Sequence, residues 1–317
     1  MKIVVSNQTN PYVNVAVENW LVEQPDDGNV TLYLWKNHRT VVIGQNQNPF
    51  SECNVERLIA DGGYVMRRTT GGGAVYHDGG NINFSFIAPP SLYNQAKHFE
   101  VISTALKDFG IEAEVSGRND LLANGRKFSG NAFSKGRNHW LHHGTLLIGG
   151  NVNDLSLYLR VKPSKLHKHG VASVQSRVVN LSELNPSLTS DNIAPHLIAA
   201  FEKVYGQKTE TIDFDDIVKF PEVQTLIKKY SSDEWLYARW KSFTAQRSHH
   251  FDWGEVELSF TVDETTHTIT DATLATDAID VTLADKLRTL LIGASTSTPP
   301  HTSDPLLTDL ISLIYSW

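Results

Sequence analysis

The chain has 317 residues, 40% of them hydrophobic and 20% charged, which is the composition of a globular protein large enough to bury a core. Its formal net charge of −7 at pH 7 argues against general nucleic-acid binding, and its single cysteine, Cys53, excludes an intramolecular disulfide framework and a cysteine-rich metal site. No apolar run approaches the roughly 18 residues that a membrane span needs, so we expect a cytoplasmic protein with no nucleic-acid or membrane partner.

The first half of the chain is predicted to be rich in strands. A helix begins after Asn10-Pro11, where the asparagine can cap and the proline fits the first turn, and a second helix is predicted over 94–108. Asn124-Gly125 is the strongest short-range signal of a hairpin. Alternation or short apolar runs predict strands over 30–34, 40–44, 64–68, 83–87, 112–116 and 139–150.

The second half is predicted to be mainly helical. Helical patterns dominate residues 152–235, and they are followed by a strand over 256–262 and by helices over 283–291 and 306–314. Runs of strands followed by runs of helices favour an α+β fold over a doubly wound sheet. The polar stretch 231–250 is interpreted as a connection to a small α+β C-terminal domain.

The segment RRTTGGGAVYHDGGN, residues 67–81, has the most unusual composition in the chain. Three consecutive glycines normally mark a tight bend or a close approach of the backbone to a ligand. With Arg68 beside them, they would offer a phosphate both backbone N–H donors and a guanidinium fork. The spacing is not that of a P-loop, and a glycine-rich hairpin with a solvated arginine is the alternative interpretation.

The segment GRNDLLANGRKFSGN, residues 117–131, carries a lysine on the predicted hairpin. If the hairpin forms, Lys127, Ser129 and Asn131 share one face of the sheet, because side chains alternate along a strand. A lysine flanked by small residues can then point into a cleft and meet an anion. Taken alone, Lys127 is better explained as an exposed hairpin lysine, because lysine side chains are almost always exposed.

The segment HHGTLL places His142 and His143 next to each other on a predicted strand. Their side chains therefore point to opposite faces and cannot easily chelate one metal ion. We predict histidines with a structural role or a single contact, and no metal site.

Together these segments resemble the lipoate–protein ligase family in its bacterial two-domain form. The C-terminal part matches through DEWLYARW and FDWGEVELSF. The resemblance implies an α+β catalytic domain with a large mixed sheet, related to biotin ligases, over 1–240, and a small α+β accessory domain over 250–317. The other matching stretches, in family order over most of residues 1–185, are NVAVENWL, LWKNHRTVVIGQNQNPFSECN, RRTTGGGAVYHDGGNINFSF, GRNDLL, GRKFSGNAF, HHGTLL and KLHKHGVASVQSRVVNL.

The resemblance also implies a two-step reaction by a monomer. ATP, with Mg²⁺ held mostly through phosphate oxygens, and lipoate give lipoyl-AMP and pyrophosphate. A lysine of an apo lipoyl-acceptor domain, on a 2-oxoacid dehydrogenase E2 subunit or the glycine cleavage H protein, then attacks the acyl carbon. Lys127 would be catalytic, because a positioned cation stabilises charge that develops at the carbonyl and the phosphate. The ATP-binding residues would be Arg68, Gly73, Ala74, Val75, Tyr76 and Lys127. The lipoate-binding residues would be Arg68, His77, Lys127 and His143.

The basic run in RVKPSKLHKHG, residues 160–170, has two interpretations in an acidic protein. Arg160, Lys162, Lys165 and Lys168 form either a solvated surface or a site for an anion or a partner. Because lipoyl acceptor domains are, by the resemblance, often acidic, we predict that this loop lies at the rim of the active site and steers the acceptor.

Three other activities fit the same segments. A cysteine-dependent lipoyl or octanoyl transferase would form a thioester on Cys53, which requires an activated thiolate. A second possibility is a transferase that accepts preformed lipoyl-AMP and cannot make it. A third is a catalytically idle carrier-binding protein, against which the glycine turn and Lys127 argue.

Overall fold

The structure is a computed structural model that describes residues 1–117, 120–160, 178–237, 245–263 and 265–315. In these ranges, no helix has the length and apolar character that crossing a membrane requires. The strands are β1 (Lys2–Val5), β2 (Thr31–Trp35), β3 (Thr40–Ile43), β4 (Tyr64–Arg67), β5 (Val75–His77), β6 (Asn81–Ala88), β7 (Glu114–Ser116), β8 (Asp120–Ala123), β9 (Arg126–Lys135), β10 (Trp140–Leu147), β11 (Glu210–Thr211), β12 (Ala245–Phe251), β13 (Gly254–Asp263) and β14 (Thr268–Thr276). The helices are α1 (Pro11–Glu23), α2 (Pro49–Glu52), α3 (Val55–Ala60), α4 (Gln95–Lys107), α5 (Val152–Tyr158), α6 (Leu181–Leu184), α7 (Ile193–Tyr205), α8 (Phe214–Val218), α9 (Pro221–Tyr230), α10 (Asp233–Tyr237), α11 (Leu283–Leu291) and α12 (Pro305–Tyr315).

An eight-stranded mixed sheet forms the largest part of the molecule, in the order β11-β1-β2-β6-β10-β9-β8-β7. Strand β1 pairs in parallel with β2 and β11, whereas β6, β10, β9 and β8 pair antiparallel with their neighbours. All eight residues of β6 are buried, as expected for a strand near the centre of a covered sheet. The α+β prediction is therefore confirmed.

Helix α1 packs between the large sheet and a second sheet of three strands, β4-β3-β5. The predicted cap is present, since the Asn10 side chain accepts a hydrogen bond from the Tyr12 backbone N–H at 2.9 Å. One hydrophobic cluster joins α1 to Val42 of β3 and Met66 of β4, and to Tyr33 of the large sheet. The helix is thus buried on several sides, and polar residues within it need partners inside the protein.

The opposite face of the large sheet is covered by α4 and α7. Its core combines Phe84 and Phe86 of β6 with Ile102 of α4 and Phe201 of α7, all of them fully or almost fully buried. Both faces of the large sheet are therefore covered. Helix α1 and the small sheet β4-β3-β5 cover the face that contains the functional candidates.

Residues 245–315 form a separate three-stranded sheet, β12-β13-β14, with α11 and α12 packed on one face around a hydrophobic core of their own. The predicted strand and two helices are present. The stretch 231–250, interpreted as a connection, includes α10 and β12, and 238–244 between them lie outside the described residues, so the connection stays a prediction. Strand β12 is a largely exposed edge strand with sequence AQRSHHF, so no apolar alternation marks it.

The C-terminal sheet β12-β13-β14 also contacts the N-terminal part of the chain. The Ser51 hydroxyl donates to the Glu257 carboxylate at 2.9 Å, and the Thr276 backbone N–H donates to the Asn46 carbonyl at 3.0 Å. Gly71 of the glycine turn lies so close to Ala278 and Ile279 that a Cβ at Gly71 would overlap their backbone. The turn therefore packs directly against the C-terminal part.

Candidate functional site

A cavity of about 280 Å³ lies between α1, the small sheet and the strands β6, β9 and β10. Its walls include the apolar side chains of Val15, Trp35, Val42 and Met66. Seven of the eight predicted site residues line it: Arg68, Gly73, Ala74, Val75, His77, Lys127 and His143. The structure therefore brings together three sequence segments that lie up to 75 residues apart (143 − 68 = 75).

The exception is Tyr76, whose ring packs against Tyr158 at 5.3 Å in a hydrophobic cluster behind the small sheet. Since its side chain does not line the cavity, a contact with the nucleotide at this position would involve the backbone. The role of Tyr76 stays a prediction.

Arg68 is buried beneath the glycine turn. Its Nη2 donates to the carbonyl oxygens of Gly71 and Gly73 at 2.6 and 2.8 Å, and its Nη1 donates to that of Val42 at 3.3 Å. Burial lowers the pKa of Arg68 to about 10, against the opposing effect of the Glu18 charge. Arg68 is therefore still a cation at neutral pH, held next to the cavity.

Lys127 follows the hairpin turn that the sequence predicted. Asn124 and Gly125 both have positive φ, 51° and 71°, which is the conformation of a type I′ turn. The Lys127 ammonium lies 2.7 Å from the Asp120 carboxylate, and its side chain is 39% exposed. Because Lys127 also lines the cavity, it is an accessible cation at the cavity mouth and not merely a solvated hairpin residue.

His77 is a neutral imidazole in the cavity wall. The Asn37 amide donates to its Nδ1 at 3.2 Å, and among the described residues its Nε2 has no hydrogen-bond partner. Burial, together with the neighbouring Arg68 and His143, lowers the pKa of His77 to about 3. The wall is therefore not charged at this point in the physiological pH range.

Sequence reasoning missed Glu18, a carboxylate on α1 that is 1% exposed and lines the cavity. Its Oε1 accepts hydrogen bonds from the Ser85 hydroxyl at 2.5 Å and from His143 Nδ1 at 2.9 Å. The other ring nitrogen of His143 lies 2.8 Å from the Thr70 hydroxyl. A glutamate at the centre of the apolar helix NVAVENWL is the signal that could have revealed it, because such a carboxylate must be paired inside the fold.

The adjacent histidines lie on opposite faces of β10, as predicted. His143 lines the cavity, whereas His142 is buried against the rings of Phe99 and Phe133, and its Nδ1 lies 3.1 Å from Nδ1 of His98. Burial holds the pKa of His142 well below its usual value. In the described part of the chain, no group of three or more His, Cys, Asp or Glu side chains could hold a metal ion.

Cys53 lies away from the cavity and is fully buried. Burial raises the pKa of its thiol to about 12, against the lowering effect of Arg160. A thiol that is both inaccessible and protonated is a poor nucleophile, which argues against acyl transfer through a thioester. Of the predicted basic run, Arg160 is exposed, and Lys162, Lys165 and Lys168 lie outside the described residues.

Two family models match the chain: "Lipoyl protein ligase A/B catalytic domain" over residues 10–202, and "Bacterial lipoate protein ligase C-terminus" over residues 241–299. The first spans more than half of the chain. The chain belongs to the lipoate–protein ligase family. The two matches together explain why the segments resembled this family in its two-domain form.

Relatives in this ligase family align along nearly the whole chain. "Lipoate-protein ligase A" of Bdellovibrio bacteriovorus is 37% identical over 299 residues, which are 92% of this chain and 88% of that protein. The protein of the same name from Psychrobacter cryohalolentis is 36% identical, with 91% and 86% covered. LipL1 of P. falciparum, solved in complex with lipoate, superposes with a TM-score of 0.85 at 32% identity and covers 100% of this chain and 99% of that one. A lipoate-protein ligase A solved with bound ATP has a TM-score of 0.63 at 23% identity, covering 74% and 97%, and therefore shows the fold alone.

Proposed function

We propose that this ligase activates lipoate with ATP to lipoyl-AMP and then transfers the lipoyl group to a lysine of a lipoyl-acceptor domain. The observation that carries the proposal is the pair of cations, Arg68 and Lys127, at a cavity that also has an apolar wall formed by Val15, Trp35, Val42 and Met66. Such a cavity suits an apolar acyl chain that ends in an anion, because the chain can be buried while the carboxylate meets a positive charge.

In the first step, a carboxylate oxygen of lipoate attacks the α-phosphorus of ATP, and pyrophosphate leaves. Two anions must approach each other, so the ammonium of Lys127 and the guanidinium of Arg68 would offset their repulsion and stabilise the charge of the transition state. The backbone around Gly73, Ala74 and Val75 forms the side of the cavity next to Arg68, and we expect the phosphates there. Mg²⁺ would accompany ATP, bound mainly by phosphate oxygens and water.

In the second step, the lysine amine of the acceptor attacks the acyl carbon, and AMP leaves. Lys127 would stabilise the developing negative charge on the acyl oxygen. The partial exposure of Lys127 is consistent with this role, because the lysine of a second protein must reach the acyl carbon next to it. The family likeness to a protein solved with lipoate supports this acyl group. The acceptors named above, the monomeric state and the cytoplasmic location stay predictions.

The test is to measure pyrophosphate release with ATP, Mg²⁺ and lipoate, with and without an apo acceptor domain, and to follow acceptor mass separately. Release that requires lipoate, together with an acceptor gain of one lipoyl group, supports both steps. Transfer from supplied lipoyl-AMP without any lipoate-dependent pyrophosphate release would support a transferase instead. Octanoate offered in place of lipoate would show which acyl group is preferred.

A further inference from the structure

A continuous chain of hydrogen bonds runs beside the cavity from Arg68 to Glu18. Arg68 Nε lies 3.1 Å from the Thr70 hydroxyl oxygen, which lies 2.8 Å from Nε2 of His143. Nδ1 of His143 lies 2.9 Å from Glu18 Oε1. Thr70 is fully buried and does not line the cavity, so it can act on a ligand only through Arg68 and His143.

The chemistry of the end groups fixes the direction of every bond in this chain. A guanidinium only donates, so the Thr70 oxygen accepts from Arg68 Nε–H. The single hydrogen of the Thr70 hydroxyl then points to Nε2 of His143, which must be an acceptor. Nδ1 therefore carries the imidazole hydrogen and donates it to the carboxylate of Glu18. An imidazolium would direct a second N–H at the Thr70 oxygen and leave the hydroxyl hydrogen without an acceptor among the described residues.

A second arm reaches the same carboxylate from the aromatic wall of the cavity. The Trp35 indole N–H donates to the Ser85 hydroxyl at 3.0 Å, and Ser85 donates to Glu18 Oε1. Both arms thus end on Glu18, whose negative charge is buried and is balanced by Arg68 at the far end of the first arm.

We propose that Thr70 is a positioning residue that holds His143 as the neutral Nδ1–H tautomer and fixes the guanidinium of Arg68, an inference that rests on the function proposed above. Both ring nitrogens of His143 are then occupied within the protein, so the imidazole presents its carbon surface to the acyl chain. Arg68 stays the only cation of this arm, with its orientation set before the substrate arrives. Preorganisation of this kind strengthens binding because the groups need not reorient.

The order hydroxyl–imidazole–carboxylate is also that of a nucleophilic triad, but Thr70 is not placed to attack a substrate. Its oxygen is buried and already accepts a hydrogen bond from Arg68. The geometry therefore assigns it to positioning.

The experiment compares Thr70→Val, which keeps the shape and removes the hydroxyl, with Thr70→Ser, which keeps the hydroxyl. Thr40→Val is the matched control, because Thr40 is fully buried on β3 and its hydroxyl donates only to the His38 carbonyl among the described residues. We expect Thr70→Val to raise the KM for lipoate on the order of tenfold to a hundredfold, since two hydrogen bonds are lost, with a smaller change in kcat. Thr70→Ser and Thr40→Val should both keep the KM of the wild type.

The ligand-free protein supplies an independent readout. Side-chain ¹⁵N shifts of His143, assigned by comparison with His143→Gln, should show a protonated Nδ1 and a hydrogen-bonded, unprotonated Nε2 at pH 7, and this pattern should be lost in Thr70→Val. An imidazolium or an Nε2–H tautomer in the wild type would overturn the inference, as would Thr70→Val kinetics equal to those of Thr40→Val. Absence of lipoate-dependent turnover in the wild type would instead reject the proposed function and leave the tautomer measurement valid.

Discussion

Replacing Lys127 with alanine should separate catalysis from stability. Within the part of the chain that the structure describes, the Lys127 ammonium pairs with the Asp120 carboxylate at 2.7 Å, and both side chains are about one-third exposed. An exposed pair of this kind contributes about 0–1 kcal/mol to the free energy of unfolding, so the variant should fold and melt close to the wild type. In contrast, removing one preorganised donor from a developing oxyanion raises the barrier by about 2.7–4 kcal/mol, which corresponds to roughly a hundredfold to a thousandfold loss of kcat.

Lys135 is the matched control on the same strand. It is exposed, its ammonium lies 4.5 Å from the centre of the Trp140 ring, and it does not line the cavity. An exposed cation–π contact is worth about 0.5–1 kcal/mol, so Lys135→Ala should affect stability as little as Lys127→Ala does. Only the Lys127 variant should lose activity.

The assays are lipoate-dependent pyrophosphate release, transfer from preformed lipoyl-AMP to an apo acceptor, and thermal unfolding of each variant. Near-wild-type rates in a folded Lys127→Ala protein would refute the catalytic assignment. Loss of both steps would agree with contacts to the phosphate and the acyl oxygen, whereas loss of only one step would restrict the role to that step. Equal activity losses in both lysine variants would show that the effect is not specific to the cavity.

The remaining predictions concern four other positions or groups. Arg68→Ala should raise the ATP concentration needed for adenylate formation, because solvent does not replace a fixed positive charge beside the phosphates; an effect on acceptor affinity alone would count against this assignment. Cys53→Ser should retain most activity, although placing a hydroxyl in an apolar pocket lowers the free energy of unfolding by about 1–3 kcal/mol. Mass spectrometry should find no thioester in the wild type. Gly71→Ala should lower the melting temperature because its Cβ would overlap Ala278 and Ile279, whereas Gly73→Ala, with open space at its Cβ, should not. Burial lowers the pKa of His77 and of His98 to about 3 and that of His142 well below its usual value. The unfolded chain therefore binds more protons than the folded one below pH about 6.5. Urea titrations should show that the contribution of these histidines to the free energy of unfolding is complete above that pH and falls on acidification by up to about 4 kcal/mol per pH unit.

Local signals in the sequence were sufficient for the features that local chemistry determines. The Asn10 cap and the Asn124-Gly125 turn formed where they were predicted, because each depends on residues that are neighbours in the chain. The glycine turn was recognised as a ligand candidate from its own composition, whereas Lys127 was assigned to the site through the family resemblance. The structure adds that both line one cavity.

Features that depend on distant partners could not be predicted in this way. Glu18 stands out within its apolar helix, but neither Glu18 nor Thr70 reveals its partner in the sequence, because only the fold brings them to His143 of β10. Strand β12 lacks an apolar face because it lies at an exposed edge. Its extended conformation is fixed by backbone pairing with β13, which its composition does not reveal. Tyr76 shows the converse, since a motif position carried over by resemblance has its side chain directed into a different hydrophobic cluster.

The burial of Cys53 has a consequence for the redox chemistry of the substrate. Lipoate carries a strained cyclic disulfide, and an accessible thiolate can open such a ring by exchange to give a mixed disulfide. The chain has one thiol, and that thiol is buried, with its pKa raised to about 12. The enzyme therefore cannot trap its own substrate covalently through sulfur, and it should handle the oxidised form of lipoate without help from a reductant.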